Sequence, residues 1–387
     1  MIAFGRKHAF ARLFAASMGA LLYACAPTAR VPQVSPELAE AEAQKQQEVV
    51  VEDTVKTELR LAAVAYRIEV ANAELCGKNV APRTGLVVLD RDTVPTQFQD
   101  AFAKVYGVTE RPTVVAMVPD SPGASAGLAP GDVIAAVNAE ETPAGKHGVE
   151  QFEAAVKGSS GAPIELSIQQ KGASKIMTLK PVVACSFPVT VKRSDTVNAY
   201  AGDSGIVVTS GMMHFVDSDD ELALVVGHEL GHDTMHHLRM ERTNTVIGTV
   251  AGGIVGALVL GLTGVDVMQP AMDTGAQLAQ MTYSQDFESE ADYVGAYYAA
   301  RAGYNVSHAA DLWRRFAATH PEAIHLSRAA THPSTAKRFV ALEETAKEIQ
   351  AKEQAEQPLV PESKDQPTTV AQPEKVESQE SDSEMPR

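Results

Sequence analysis

Apolar positions follow three rhythms along the chain. From Pro36 to about Leu75 the sequence is rich in Ala, Glu and Gln, with Leu59, Leu61, Val64, Ile68 and Val70 grouped late. That pattern predicts a long scaffold helix whose first half is polar enough to stand in solvent. Between residues 80 and 186 the period shortens. Val114-Val115-Ala116-Met117-Val118, Ile164 to Gln169 and Lys175 to Val182 are rich in β-branched residues and predict strands. Past residue 218 the helical spacing returns: Ser218-Asp219-Asp220-Glu221 has the form of a capping box, and Leu222, Val225, Val226 and Leu230 follow on one helix face. Val246 to Leu262 is apolar throughout and punctuated by Gly248, Gly252, Gly253, Gly256 and Gly261. Its length sits at the lower limit of a membrane span, and its glycines suit close helix contacts. The favoured reading is a non-spanning helical hairpin near the active site, with a span as the alternative. Ala300 to Phe316 reads as a further helix, with Leu312, Trp313 and Phe316 on its core face. The last stretch, 349–387, is Pro, Gln, Glu and Ser with almost nothing to bury, and reads as a disordered acidic tail.

The helix that follows the capping box carries His228-Glu229-Leu230-Gly231-His232. Residues four apart on a helix share a face, so both imidazoles point into one cleft with Glu229 beside them. This is the HExxH arrangement of zinc hydrolases, in which Glu229 takes a proton from water. Two histidines do not complete a zinc shell. The best source of a third donor is Tyr283-Ser284-Gln285-Asp286-Phe287-Glu288-Ser289-Glu290-Ala291-Asp292, where Glu288 and Asp292 share a helix face and Glu290 points elsewhere. One carboxylate of such a pair binds metal while the other accepts the second ring N–H of a ligating histidine, which makes Glu288 the ligand and Asp292 the orienter. The plainer alternative is an acidic, solvated helix face. His214, His236, His237, His308, His320 and His325 read as surface or core residues.

A chain of 387 residues is long for one domain and implies two or three. Its apolar share of 45% allows sizeable cores. A net charge of −16 argues against nucleic acid as a partner, because phosphate binding needs a basic face.

The combination Val197-Asn198-Ala199-Tyr200, Gly205 to Gly211, Asp220-Glu221-Leu222, HELGH, ESEAD and Thr331-His332-Pro333 resembles the HtpX and CAAX prenyl endopeptidase family, and most closely its periplasmic, soluble members. The resemblance covers roughly residues 186–345. It implies a gluzincin fold with one Zn2+ per chain on His228, His232 and Glu288, and Glu229 as base. It also implies that His332 lies close to the zinc. Gln285 stands where many relatives have Arg. No third histidine follows in the HExxHxxGxxH pattern, so a metzincin is excluded. Gly205 to Gly211, with Ile206, Val207 and Val208, reads as an edge strand beside the HExxH helix that pairs with extended substrate backbone.

Residues 80–186 are similar to a PDZ domain through Val114 to Pro119 and Ser121 to Asn138, which resemble the strand, short helix and Gly-Asp turn of protease-associated PDZ domains. By that similarity the peptide edge is Gly85, Leu86, Val87 and Val88, facing a helix near Val149 to Val156. Arg83-Thr84-Gly85-Leu86 is a loose version of the carboxylate-binding loop.

Arg6, Lys7 and Arg12 precede a short apolar run ending at Leu22-Tyr23-Ala24-Cys25, which resembles a bacterial lipobox. Cleavage before Cys25 leaves a lipidated N-terminus, and Ala26 resembles lipoproteins sorted to the outer membrane. In an oxidising periplasm Cys76 and Cys185, which bracket the middle domain, are a candidate disulfide, with two buried thiols as the alternative.

The expected fold is α+β: a mainly helical gluzincin zinc-metallopeptidase domain with a small edge sheet, and a preceding or inserted β-rich PDZ domain. The expected division is a signal peptide at 1–24, a tether at 25–35, a helical scaffold at 36–79, the PDZ domain at 80–186, the peptidase domain at 187–348 and the tail. The expected activity is hydrolysis of unfolded or misassembled envelope proteins at a lipid-anchored periplasmic address. A metal-stabilised chaperone or peptide-binding module is the alternative.

Overall fold

The computed structural model describes residue 29 and residues 31–202, 205–263, 268–319 and 336–363. Cys25, His332, the signal segment and residues 364–387 lie outside them. The chain divides after Val50 into two compact units. In the first, the described residues are mostly exposed and include the opening turns of helix α1 (Pro36–Ala71).

The second unit contains everything else. Beyond α1 come β1 (Val80–Arg83), β2 (Leu86–Leu89), α2 (Gln99–Tyr106), β3 (Thr113–Met117), the one-turn α3 (Pro122–Ser125), β4 (Val133–Val137), β5 (Glu140–Glu141), α4 (Lys146–Gly158), β6 (Ile164–Gln170), β7 (Ala173–Leu179) and β8 (Val182–Cys185). One antiparallel sheet runs β2-β3-β4-β6-β7, with β5 paired to β4. Alternation decides its faces: Ile164, Leu166 and Ile168 of β6 are buried with Val114, Ile134 and Phe152. Val51 and Val55 of α1 pack with Phe102, Val115 and Ala116 in a second cluster. The strand expected over Lys175 to Val182 breaks at Lys180-Pro181, because proline cannot donate to the ladder, and the chain leaves β7 to pair β8 with β1. Cys76 and Cys185 are joined by a disulfide, Cα to Cα 5.6 Å, at the foot of that β1–β8 pair.

Strands β9 (Val189–Lys192), β10 (Ala199–Gly202) and β11 (Gly205–Thr209) form a three-stranded sheet in the order β10-β11-β9. This corrects the expected substrate edge. Val207 pairs with Tyr200 on one side and with Thr190 on the other, so Ile206, Val207 and Val208 lie on the central strand, with main-chain groups spent within the sheet. The outer strands are β10 and β9. Apolarity misled the reading: a run such as Gly-Ile-Val-Val-Thr marks a strand buried on both faces as readily as an edge.

Helices α5 (Ser210–Phe215), α6 (Asp219–Thr234), α7 (His237–Thr263), α8 (Met268–Arg301), α9 (Ala309–Thr319) and α10 (Ala336–Gln354) complete the described chain. The expected cap forms with one shift: Ser218 Oγ accepts from Glu221 N at 3.2 Å, and Glu221 Oε2 accepts from Asp217 N, one residue before the N-cap, at 2.7 Å. Arg315 holds the same carboxylate from α9 at 2.6 and 2.9 Å, so the start of α6 is fixed to a second helix. Leu222, Val225 and Val226 enter a core shared with Leu61 and Ile68 of α1, Tyr297 and Tyr298 of α8 and Leu312 of α9. One helix therefore serves both halves of the second unit, its upstream valines under the larger sheet and its downstream apolar residues in the helical core. Helices α7 and α8 pack against one another, and no helix among the described residues is long and apolar enough to cross a membrane. Residues 349–359, expected to belong to the tail, are instead built into the fold. Ile349 is fully buried, α10 continues to Gln354, and the carbonyl of Leu359 accepts from Arg301 at 3.0 Å.

Candidate metal centre

Helices α6 and α8 meet at glycines. A Cβ on Gly295 would lie 2.6 Å from His228 N, and one on Gly227 would lie 2.5 Å from Gly295 O. Gly231 likewise faces the backbone of Ala291, with 3.1 Å left for a Cβ. Small residues at these points let two helix backbones approach closely enough for a carboxylate from one to reach two imidazoles on the other.

His228 Nε2 and His232 Nε2 are 3.2 Å apart. Glu288 closes the triangle, with Oε1 3.2 Å from His232 Nε2 and Oε2 3.5 Å from His228 Nε2. All three residues offer donor atoms that lie within 4.8 Å of one another. A tetrahedral zinc with bonds of about 2.0–2.2 Å sets its ligand atoms roughly 3.3–3.5 Å apart, so the donors have the chemistry and the spacing for that ion. His228 and Glu288 are buried, and His232 has a side-chain exposure of 13%, which leaves an approach from that side.

Asp292 lies where helical spacing puts it. Its Oδ1 faces His228 Nδ1 at 2.9 Å, which turns Nε2 of that ring toward the other donors. Asp292 is held in turn by Arg338 of α10, whose Nε and Nη2 donate to its two oxygens at 2.8 and 2.9 Å, while Nη1 lies 2.9 Å from Glu288 Oε2. Burial alone would raise the Asp292 pKa, yet Arg338 and His228 hold it below the ordinary carboxylate range. Burial also opposes charge on His228. The hydrogen bonds and charges of Asp292 and Glu288 outweigh it and raise the pKa to about 10.

Glu229 is buried in the same place, and its charge is felt at both Arg338 and Asp233. Trp313 does more than fill the core: its ring stands 5.0 Å from that of His228 and 5.9 Å from the Arg338 guanidinium carbon. That contact leaves no mark on the sequence, because an apolar helix face looks the same whether it covers leucines or a histidine. A cavity of about 430 Å3 opens against His232 and Asp233, with Gly202 of β10, Gly205 of β11 and Pro188 on its other walls.

A second recess of about 550 Å3 lies along β2 and α4, lined by Gly85, Leu86, Val87, Phe152 and Val156 and walled by Tyr66 of α1. β2 is the outer strand of its sheet. Arg83, the last residue of β1, donates to Glu69 Oε1 at 3.2 Å, with Nε 3.1 Å from Oε2. Burial pushes the Glu69 carboxyl up to about 7 against the pull of Arg83.

Two helix-borne histidines and a glutamate from a second helix, with an acid beside them, are the donor set expected of a gluzincin metallopeptidase domain. Residues 185–346 match peptidase family M48 and residues 113–170 match a PDZ domain, both within one α+β molecule. The HtpX and CAAX resemblance is a near variant of that assignment. Among curated relatives, the mitochondrial metalloendopeptidase OMA1 of Arabidopsis thaliana is 32% identical over 161 residues, 40% of this chain and 30% of that protein. The beta-barrel assembly-enhancing protease of Yersinia pestis is 28% identical over 129 residues, 32% of this chain and 26% of that protein. The chain thus spans less than a third of the length of these relatives. Among solved structures, the HtrA3 PDZ domain bound to a phage-derived ligand is matched at 19% identity over 27% of this chain and 88% of that chain, with a TM-score of 0.22.

Proposed function

We propose that the chain is a zinc-dependent endopeptidase acting on extended segments of unfolded or misassembled envelope proteins, presented with the help of its PDZ domain. The observation that carries the reading is the spacing of the three donors at 3.2, 3.2 and 3.5 Å around one point. His228, His232 and Glu288 would hold a zinc ion, which would supply a Lewis acid for a scissile carbonyl and for water. Asp292 fixes the His228 ring and Arg338 fixes Asp292. Glu229 accepts the proton of the attacking water and returns it to the leaving amine. The outer strand β10, which packs against α6 and ends at the cavity beside His232, is the edge along which substrate backbone pairs. The β2–α4 recess takes a second stretch of the same chain.

The substrate class draws on the relative named as a beta-barrel assembly-enhancing protease. A lipidated Cys25 would hold the enzyme at the periplasmic face of the outer membrane, where such chains accumulate, and the Cys76–Cys185 disulfide suits that oxidising compartment.

Glu229→Gln separates the enzyme from a metal-stabilised binding module. The variant is expected to keep zinc and fold, and to lose casein hydrolysis by about 10²–10⁴-fold, the range for removal of a general base. Cleavage continuing at the wild-type rate in the zinc-loaded variant would show that Glu229 is not the base, and a zinc-loaded wild type that leaves casein intact would overturn the peptidase reading in favour of the binding module.

A further inference from the structure

His237 opens α7 immediately after a left-handed turn at His236, φ 59°, which folds the chain back over the end of α6. Its ring is 1% exposed and lies flat on Phe287, centroids 4.6 Å apart and planes 16° apart. Its Nδ1 is 3.1 Å from His232 Nδ1, and its Nε2 is 3.1 Å from Glu290 Oε2. Phe287 and Glu290 are three apart on α8 and so share a face, adjoining the one that presents Glu288 and Asp292.

Hydrogen-bond logic fixes the direction of this row. A carboxylate only accepts, so His237 Nε2 carries the proton that Glu290 receives. In a neutral ring Nδ1 is then an acceptor, and among the described residues the donor facing it at 3.1 Å is the Nδ1–H of His232. With its proton on Nδ1, His232 has its lone pair on Nε2, the atom 3.2 Å from both His228 Nε2 and Glu288 Oε1.

We propose that His237, held by Glu290 and stacked on Phe287, is the positioning residue that sets the tautomer and orientation of His232, as Asp292 does for His228. The proposal rests on the zinc centre described above. The two histidines are then oriented by different chemistry: a charged carboxylate buttressed by Arg338 on one, and a neutral imidazole backed by a half-exposed carboxylate on the other. The weaker partner falls on the more exposed ligand. Loss of such an outer partner costs about 10–100-fold in metal affinity or activity.

The test is zinc affinity by competition with a chromophoric chelator, together with the visible spectrum of the cobalt(II) form, for the wild type, His237→Phe, His237→Asn and Glu290→Ala. Phenylalanine keeps the stack on Phe287 and removes the acceptor. Asparagine restores an oxygen acceptor near the Nδ1 position. The expected result is affinity about 10–100-fold lower in His237→Phe with an altered cobalt band, recovery of most of that loss in His237→Asn, and a smaller loss in Glu290→Ala. Glu290 has a side-chain exposure of 40%, so its truncation tests the row even if His237→Phe fails to fold. A residue that merely packs would lower stability without the asparagine rescue. Wild-type zinc affinity in His237→Phe or, should that variant not fold, in Glu290→Ala would overturn the proposal while leaving the metal centre standing. A wild type that takes up no zinc would overturn both.

Discussion

Arg338→Met is expected to lower stability by about 3–5 kcal/mol and to strip the site of metal at micromolar free zinc, because removing one partner of a buried ion pair leaves uncompensated charge. Arg338 has a side-chain exposure of 3%, and both of its acidic partners have 4%. Its loss would leave Asp292 and Glu288 facing one another's charge in a dry pocket. Asp292 would then be driven toward its protonated form, and a protonated Asp292 no longer stabilises the His228 tautomer that presents Nε2 to metal. Equilibrium unfolding in denaturant, with bound zinc measured on the same samples, checks both parts. A variant as stable as the wild type and fully loaded would show that the buried pair is not what holds α10 to the site.

Gly295→Val is expected to act with comparable force through backbone rather than charge. Even the first carbon of the new side chain would sit 2.6 Å from His228 N, about 0.8 Å inside ordinary van der Waals contact at 3.4 Å. Neither neighbour is a flexible side-chain tip: the closest atoms are His228 N and Gly227 C. The helices must part, and the separation is transmitted to the distance between Glu288 and the two imidazoles. Overpacking costs about 1–3 kcal/mol, and misplacement on the order of 1 Å costs about 10²-fold in rate. The measurement is caseinolytic activity beside thermal stability. A variant with unchanged activity would mean that the α6–α8 crossing tolerates expansion without moving the donors.

The two cases also mark how far the sequence could be read. HELGH and the Glu288–Asp292 pair were legible because helical geometry is local: four residues on one helix give one face whatever the rest of the chain does. Ser218 and Glu221 were legible for the same reason. What the sequence did not disclose is contact between segments distant along the chain. The grip of Arg338 on both Asp292 and Glu288 depends on α10 returning across α8. Gly227 and Gly295 carry no apolar or charged signal, yet they set how closely the two helices approach. His237 looked like any other histidine until the turn at His236 brought it over His232. The central place of β11 also followed from pairing rather than composition, since β9 and β10 reach it from opposite sides.

The central claim is that two imidazoles from α6 and one carboxylate from α8 hold a single zinc ion. Elemental analysis of purified wild type and of Glu288→Ala tests it most directly. One zinc per chain is expected in the wild type and far less than one in the variant, where only two of the three donors remain and the Arg338 cation, 2.9 Å from Glu288 Oε2 in the wild type, faces them. Equal zinc content in the two proteins, or none in the wild type, would contradict it.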